Sequence, residues 1–215
     1  MMLRAVAILG LACAIAPGAR AQEPPPRLPP FVIDLHGTFA RLPAADAELR
    51  ASRSLNPGEL PSRALGGDAA LQVFPVRYRG VTFGIGGHVV YSRGRQAAPA
   101  ERQSPFLRPV TERFVTGGAQ LSFNFGTGDG WSYLSGGIGT SVWQIVPDGG
   151  EALPADEERL ETFNYGGGAR WFIKRHLAFS VDVRFHAIDA GTPTPERFGS
   201  PRTTLMVVGA GVSLK

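Results

Sequence analysis

The sequence contains one cysteine, Cys13, and it lies in an N-terminal segment with the features of a signal peptide. Residues 1–21 combine a basic residue, Arg4, with an apolar run from 5 to 16. Ala19 and Ala21 then fit the small-x-small pattern of a cleavage site. We therefore expect cleavage near Ala21, which leaves a mature chain without cysteine that disulfides cannot brace.

Long apolar runs and a marked excess of charge are also missing. After residue 21 no stretch approaches the ~20 apolar residues of a membrane helix, so the mature chain is either soluble or crosses a membrane as strands. Without Arg4 and Arg20, 20 Lys and Arg stand against 18 Asp and Glu, a net charge of +2. This balance is too mild to predict a nucleic-acid partner.

Motifs of catalysis and ligand binding are equally scarce. The four histidines form no HxH or HExxH pair, and no GxSxG elbow occurs. Gly84, Gly86 and Gly87 lack the following helix and lysine of a phosphate-binding loop. We therefore expect neither an enzyme nor a bound metal or cofactor.

What the sequence does have is glycine, at 28 residues, and an alternation of apolar and polar residues with a period of two. That alternation is typical of strands with one apolar and one polar face. The clearest case is 177–188, where Phe179 and Val181 share one face while Asp182 and Arg184 share the other. We predict eight strands: 31–41, 70–79, 81–93, 111–125, 131–146, 160–173, 177–188 and 203–214.

The connections between these strands alternate between short and long. Three are hairpin turns, at 79–80, 126–130 and 174–176. Four are long and polar, at 42–69, 94–110, 147–159 and 189–202. This arrangement is typical of bacterial outer-membrane barrels, in which short turns and both termini lie in the periplasm and long loops lie outside. The fold class predicted is all-β, an eight-stranded antiparallel up-and-down transmembrane β-barrel, with a soluble lipocalin-like barrel as an alternative.

A barrel of eight strands is just wide enough for side chains to fill its interior, and a buried charge there needs a partner. We expect Asp34 and Asp182 to pair with Arg170 and Arg184. The predicted polar interior network consists of Asp34, His36, His88, Arg170, Asp182, Arg184 and His186. Gln120 and Asn124 are expected to point inward as well, with Arg77 a further candidate.

Aromatic residues lie near many of the predicted strand ends, where they suit the girdles found at the two membrane interfaces. The predicted girdle residues are Phe31, Phe39, Tyr78, Phe83, Tyr91, Phe114, Phe125, Trp131, Tyr133, Trp143, Phe163, Trp171 and Phe172. Arginines recur in the long loops, where they are expected to be exposed and could meet lipopolysaccharide phosphates. These are Arg50, Arg53, Arg63, Arg95, Arg102 and Arg108.

The segment from Tyr165 to Phe185, YGGGARWFIKRHLAFSVDVRF, resembles the penultimate hairpin of small outer-membrane β-barrel proteins of the OmpA-like and OmpX-like kind. In these a glycine-rich strand ends in aromatic residues, and a tight turn leads into a strand of alternating apolar, acidic and basic residues. The resemblance extends to the signal peptide, the strand count and the last strand. It implies a barrel in the outer membrane and implies little about activity.

The sequence thus predicts a signal peptide at 1–21, a proline-rich tail at 22–30 and a barrel domain at 31–215. We expect a monomeric, porin-like protein of the Gram-negative cell envelope, non-enzymatic, with a structural, adhesive or surface-interaction role and a plugged interior. The alternatives are a narrow channel for small solutes and a soluble periplasmic lipocalin-like binder. Outer-membrane lipids, lipopolysaccharide among them, are the expected partners, and an extracellular partner is not specified by the sequence.

Overall fold

The computed structural model describes residues 28–97, 108–195 and 198–215. Eight antiparallel strands close into one barrel in which each strand pairs with its neighbours in sequence and β1 pairs with β8. The strands are β1 (Phe31–Arg41), β2 (Arg63–Tyr78), β3 (Val81–Gln96), β4 (Val110–Thr127), β5 (Gly130–Pro147), β6 (Arg159–Lys174), β7 (Leu177–Ile188) and β8 (Thr203–Leu214). The predicted fold class is therefore confirmed.

Two short helices lie in the long connections, α1 (Ala47–Ser52) and α2 (Pro154–Glu157). The carboxylate of Asp46 caps α1 by accepting a hydrogen bond from the Leu49 amide at 3.0 Å. Within the described residues, neither helix is long and apolar enough to cross a membrane.

The hairpin turns lie at the end of the barrel where β1 begins and β8 ends. Between β2 and β3 the turn residues Arg79 and Gly80 both have positive φ, 47° and 88°, as a type I′ turn requires. In an outer-membrane barrel this is the periplasmic end, and the opposite end, with four longer connections, is extracellular.

The start of β2 differs from the sequence prediction. We expected it at residue 70, but it begins at Arg63, because Gly66 and Gly67 pair in register with β1 although they carry no apolar side chain. Pro75 lies at a register shift between Val73 and Val76, which accommodates a residue that cannot donate to the sheet. The other seven strands match their predicted bounds within about three residues.

The predicted signal peptide and residues 22–27 of the predicted tail lie outside the described residues. The division into signal peptide, tail and barrel domain therefore stays a prediction in its first two parts.

Candidate functional site

The interior of the barrel gathers the residues that the sequence assigned to it. All seven members of the predicted polar network are buried, and so are Gln120 and Asn124. Arg77, the further candidate, is exposed, because it lies beyond the β-bulge at the periplasmic end of β2. The buried predicted set is Asp34, His36, His88, Gln120, Asn124, Arg170, Asp182, Arg184 and His186.

The strongest contact in this interior is a two-point ion pair between β1 and β6. Arg170 donates from Nε to Asp34 Oδ1 at 2.8 Å and from Nη2 to Oδ2 at 2.6 Å. Ser213 donates a further hydrogen bond to Asp34. The guanidinium also lies 4.0 Å from the centroid of the Tyr133 ring. Because both charges are buried, this geometry compensates their lost hydration only while both partners are present.

A second charged pair lies beside the first. Arg184 Nη2 donates to Asp182 Oδ2 at 3.1 Å, and Nη1 donates to Asn164 Oδ1 at 3.0 Å. The Tyr133 hydroxyl donates to the same Asp182 oxygen at 2.7 Å. Tyr133 thereby joins the two pairs, since its ring contacts Arg170 while its hydroxyl binds Asp182.

His36 lies between an acid and a hydroxyl. Its Nδ1 is 3.0 Å from Asp68 Oδ2 on β2, and its Nε2 is 2.8 Å from Ser180 Oγ on β7. A carboxylate can only accept, so Nδ1 carries the proton and Nε2 accepts from Ser180. Serine hydrolases use this order of groups, but Ser180 has no solvent-exposed surface through which a substrate could reach it.

Two further histidines lie closer to the extracellular end. With its amide oxygen turned toward the donors, Gln120 accepts from both terminal nitrogens of Arg184 at 3.1 Å, and its nitrogen donates to His88 Nδ1 at 3.3 Å. The rings of His88 and His186 have centroids 5.8 Å apart, and His186 packs edge-on against Phe114. Among the described residues no group of His, Cys, Asp and Glu is arranged to hold a metal ion.

Above this polar network, an apolar cap fills the extracellular half of the barrel. Leu49 of α1 and Leu60 of the same loop pack down onto buried side chains from all eight strands. The cap consists of Ala40, Leu42, Leu49, Leu60, Ala64, Val90, Val110, Phe114, Trp143, Ile145, Leu160, Ile188, Leu205 and Val207. The extracellular mouth is therefore closed by packed side chains.

An ion pair between two extracellular loops, which we name the loop latch, fastens this cap. Arg53, just after α1, donates from Nε to Asp156 Oδ1 at 2.8 Å and from Nη2 to Ser200 Oγ at 2.9 Å. Asp156 also accepts from the amides of Ile145 and Leu153. Arg53 was expected to be exposed, but it is buried because three loops meet around it.

The periplasmic end holds an aromatic cluster. Trp131 stacks on Phe172 with ring centroids 5.1 Å apart and meets Phe74 edge-on. Lys215 donates to the Gly128 carbonyl and lies 3.7 Å from the centroid of the Phe172 ring. Partial burial lowers the pKa of the Lys215 ammonium, and the Asp129 carboxylate partly offsets this effect.

Four of the predicted girdle aromatics are placed differently from the prediction. Phe114, Trp131, Tyr133 and Trp143 are buried inside the barrel, because their positions fall on the inward side of β4 and β5. Trp143 donates to Glu112 at 2.7 Å, and Tyr133 binds Asp182. These contacts satisfy the polar groups of Trp143 and Tyr133, as buried Trp and Tyr usually require, whereas Trp131 Nε1 has no partner among the described residues.

Between its two ends, the outer surface is apolar on all eight strands, and we name this zone the apolar belt. Exposed residues in its middle include Leu71, Ile85, Leu121 and Ile138, the last 71% exposed. A soluble barrel would bury its apolar face and present polar residues to water, so the soluble lipocalin-like alternative is wrong. A closed barrel with paired backbone groups and an apolar belt is a structure that can span a bilayer as strands. The fold and surface together define a transmembrane β-barrel of the bacterial outer membrane.

Comparison with solved structures finds the same fold in one of them, and two others align at lower scores. Neisserial surface protein A (NspA) aligns with a TM-score of 0.52 and 13% identity over 87% of this chain and 97% of its own. Ail, the attachment invasion locus protein of Yersinia pestis, crystallised with the heparin analogue sucrose octasulfate, aligns at 0.46 with 10% identity over 86% and 96%. The outer membrane protein AlkL, solved in lipid bilayers, aligns at 0.40 with 16% identity over 93% and 96%.

No model of a known protein family matches the chain, and no curated protein is significantly similar to it in sequence. What the comparisons show is therefore the fold alone.

Sequence reasoning missed several residues of the interior and of the loop latch, among them Asp68, Tyr133, Arg53 and Asp156. Asp68 was placed in a loop because β2 was started seven residues late. A signal was available in the alternation of β2. If Leu71 and Val73 lie on the outer face, then Asp68, three residues before Leu71, lies on the inner face. Nothing local marks Arg53 or Asp156, which are 103 residues apart in sequence.

Proposed function

We propose that this chain is a non-enzymatic, closed outer-membrane barrel with a structural, adhesive or surface-interaction role. Its working surface is then the extracellular loops and the outer wall of the barrel. The interior serves to hold that surface rigid. Outer-membrane lipids, lipopolysaccharide included, are its proposed partners in the membrane.

The observation that carries this proposal is the double closure of the lumen. The ion pair Asp34–Arg170 joins β1 to β6 across the lumen. Beside it, the Asp182–Arg184 pair of β7 is bound from across the lumen by Tyr133 of β5 and Gln120 of β4. Above them the apolar cap and the loop latch fill the extracellular mouth. A path for ions or solutes would have to displace both layers.

The geometry also favours a role without catalysis. The hydrogen-bonded groups Asp68, His36 and Ser180 have the order used for nucleophilic catalysis, yet the Ser180 hydroxyl is enclosed by neighbouring strands. Catalysis needs a substrate carbonyl beside the nucleophile and donors around its oxygen. In this packed lumen the two hydrogen bonds hold the His36 ring in place, and no space is left for a substrate beside Ser180.

A narrow channel is the second candidate, and one observation favours it. The lumen is lined by charges, and His88 Nε2 and both ring nitrogens of His186 lack a protein partner among the described residues. Buried polar atoms without protein partners are commonly bound to water. A chain of water molecules through the polar network would be the start of a conducting path.

Planar-bilayer recording separates the two candidates. We expect protein extracted from membranes, with folding verified by heat-modifiable gel mobility and insertion by vesicle flotation, to show no steady conductance. Arg53→Ala, which breaks the loop latch, should also remain closed, because the polar network still crosses the lumen.

Steady conductance steps in the wild-type protein would contradict the closed barrel. If the step size then changes in Arg184→Gln but not in Arg159→Gln, an exposed arginine outside the lumen, the current passes through the interior and the channel candidate replaces the closed barrel.

A further inference from the structure

Two arginines face each other on the outer wall near the extracellular end of the barrel. Arg93 of β3 and Arg113 of β4 are directly paired in register, and both are exposed. Like charges directly opposite each other on one face of a sheet are destabilising unless a counter-charge is present. The position therefore calls for an anion.

Within the described part of the chain, neither arginine has a carboxylate partner. The nearby Asp148 is already paired with Arg95. The other exposed ion pair on this surface, Arg202–Asp189, lies at the start of β8. Among the described residues, the two guanidinium groups are thus left without an acidic partner.

The arginines also line a concave site. A cavity of about 320 Å³ lies between this part of the wall and the loop that follows β5. Thr111 and Gln144 add a hydroxyl and an amide to its lining, and Gly149 and Gly150 line it from the loop. The Asp148 carboxylate lines it as well, with its charge paired to Arg95. Two paired guanidinium groups with neutral hydrogen-bonding groups beside them are suited to the tetrahedral oxygens of a phosphate.

The position of this cavity relative to the membrane centre indicates which phosphate-bearing molecule it would receive. Two residues closer to the membrane centre on the same faces are Tyr91 and Val115, which are also directly paired and belong to the apolar belt. The arginine pair therefore lies at the boundary where acyl chains end and lipid headgroups begin. A lipid bound here could lay its chains on the belt and its phosphate on the arginines.

We propose that Arg93 and Arg113, with Thr111 and Gln144, bind a phosphate group on the headgroup of an outer-leaflet glycolipid of the lipopolysaccharide type. This site rests on the outer-membrane placement in the proposed function. It deepens that function by naming one partner and its contact residues. It does not depend on whether the lumen is closed.

The test titrates the barrel, purified from membranes in a phosphate-free maltoside detergent, with three probes. These are bis-phosphorylated lipid A, lipid A with both phosphates removed, and inorganic phosphate, with binding followed by native mass spectrometry. We expect tight binding of the phosphorylated lipid only. The double variant Arg93→Gln/Arg113→Gln should weaken it by about tenfold or more, since each arginine loses a charge-assisted hydrogen bond.

Two double variants with the same loss of charge serve as controls. Lys174→Gln/Arg175→Gln lies at the periplasmic end and should bind as the wild type does. Arg41→Gln/Arg63→Gln removes another directly paired set of exposed arginines outside the cavity, and its effect should be smaller than that of the Arg93 and Arg113 variant. Heat-modifiable mobility confirms that every variant is folded.

Three results would overturn the site. Equal binding of the dephosphorylated lipid would show that no phosphate is recognised. Binding of inorganic phosphate as tight as that of the lipid would replace the lipid with a free anion. Equal losses in the Arg41/Arg63 and Arg93/Arg113 variants would show a general basic surface without a defined site. None of these results bears on the conductance test, so the two proposals fail separately.

Discussion

At the scale of single residues, this protein keeps charge inside a membrane-embedded barrel by giving almost every buried charge a partner. Asp34 has Arg170 and Ser213, and Asp182 has Arg184 and Tyr133. A buried ion pair adds little net stability over apolar packing, but removal of one partner leaves the other uncompensated.

Replacing Arg170 with methionine tests this asymmetry. Arg170→Met leaves Asp34 buried with one serine donor, and we expect a loss of about 3–5 kcal/mol in the free energy of unfolding. Urea unfolding in phospholipid vesicles, followed by heat-modifiable mobility, measures it. Arg175→Met, in an exposed turn, should stay within about 0.5 kcal/mol of the wild type.

The double variant Asp34→Asn/Arg170→Met sharpens the same experiment. Its loss should be smaller than the sum of the two single losses, because the interaction is removed only once. Additive losses, or an Arg170→Met barrel that unfolds at the wild-type urea concentration, would contradict the pairing.

At the scale of strands, glycine allows β4 and β5 to approach each other closely. Gly118 and Gly139 are paired in register, and a Cβ added to Gly139 would lie 2.2 Å from the Gly117 carbonyl oxygen. Real Cβ atoms do not come that close to backbone, so the strands would have to separate. A narrow barrel bends sharply at such places.

Gly139→Ala should therefore impair barrel closure. We expect a loss of about 1–3 kcal/mol in unfolding free energy and a smaller folded fraction in the membrane. The matched variant is Gly37→Ala, where the nearest atom to an added Cβ is the Ala210 carbonyl oxygen at 3.9 Å. Folded yields from gel mobility compare the two, and equal yields would argue against close approach as the role of Gly139.

At the scale of the whole molecule, the barrel is organised in concentric and stacked layers. The apolar belt faces lipid, the polar network lies within, and the apolar cap with its loop latch closes the extracellular end. Loops of this kind are normally the mobile part of a barrel, but here a buried ion pair joins two of them and a serine of a third.

Because the strands span the membrane, the cost in unfolding free energy of an arginine on the outer wall should depend on how deep in the bilayer it lies. Leu121→Arg, in the middle of the lipid-facing surface of β4, should cost about 2–4 kcal/mol of unfolding free energy in vesicles. Thr204→Arg, an exposed outward position at the extracellular start of β8, should cost at most about 1 kcal/mol. Similar costs at both depths would mean that Leu121 does not face the bilayer core.

The sequence determined the strands, their number and the alternation of short turns with long connections. The alternation of Phe179 and Val181 with Ser180 and Asp182 is local, so it could be interpreted without knowing any partner. The sequence also determined which side of β7 is polar, and hence which residues of β7 lie in the lumen. The predicted start of β2 was wrong because Gly66 and Gly67 carry no apolar side chain and so interrupt the alternation.

The tertiary structure alone decided which residues meet. Asp34 and Arg170 are 136 residues apart, and Arg53 and Asp156 are 103 apart. Their pairing depends on the stagger of the closed sheet and on how the loops fold back over its mouth. Period-two patterning specifies a face, but the partner across a lumen is specified by register and closure, which are properties of the whole barrel.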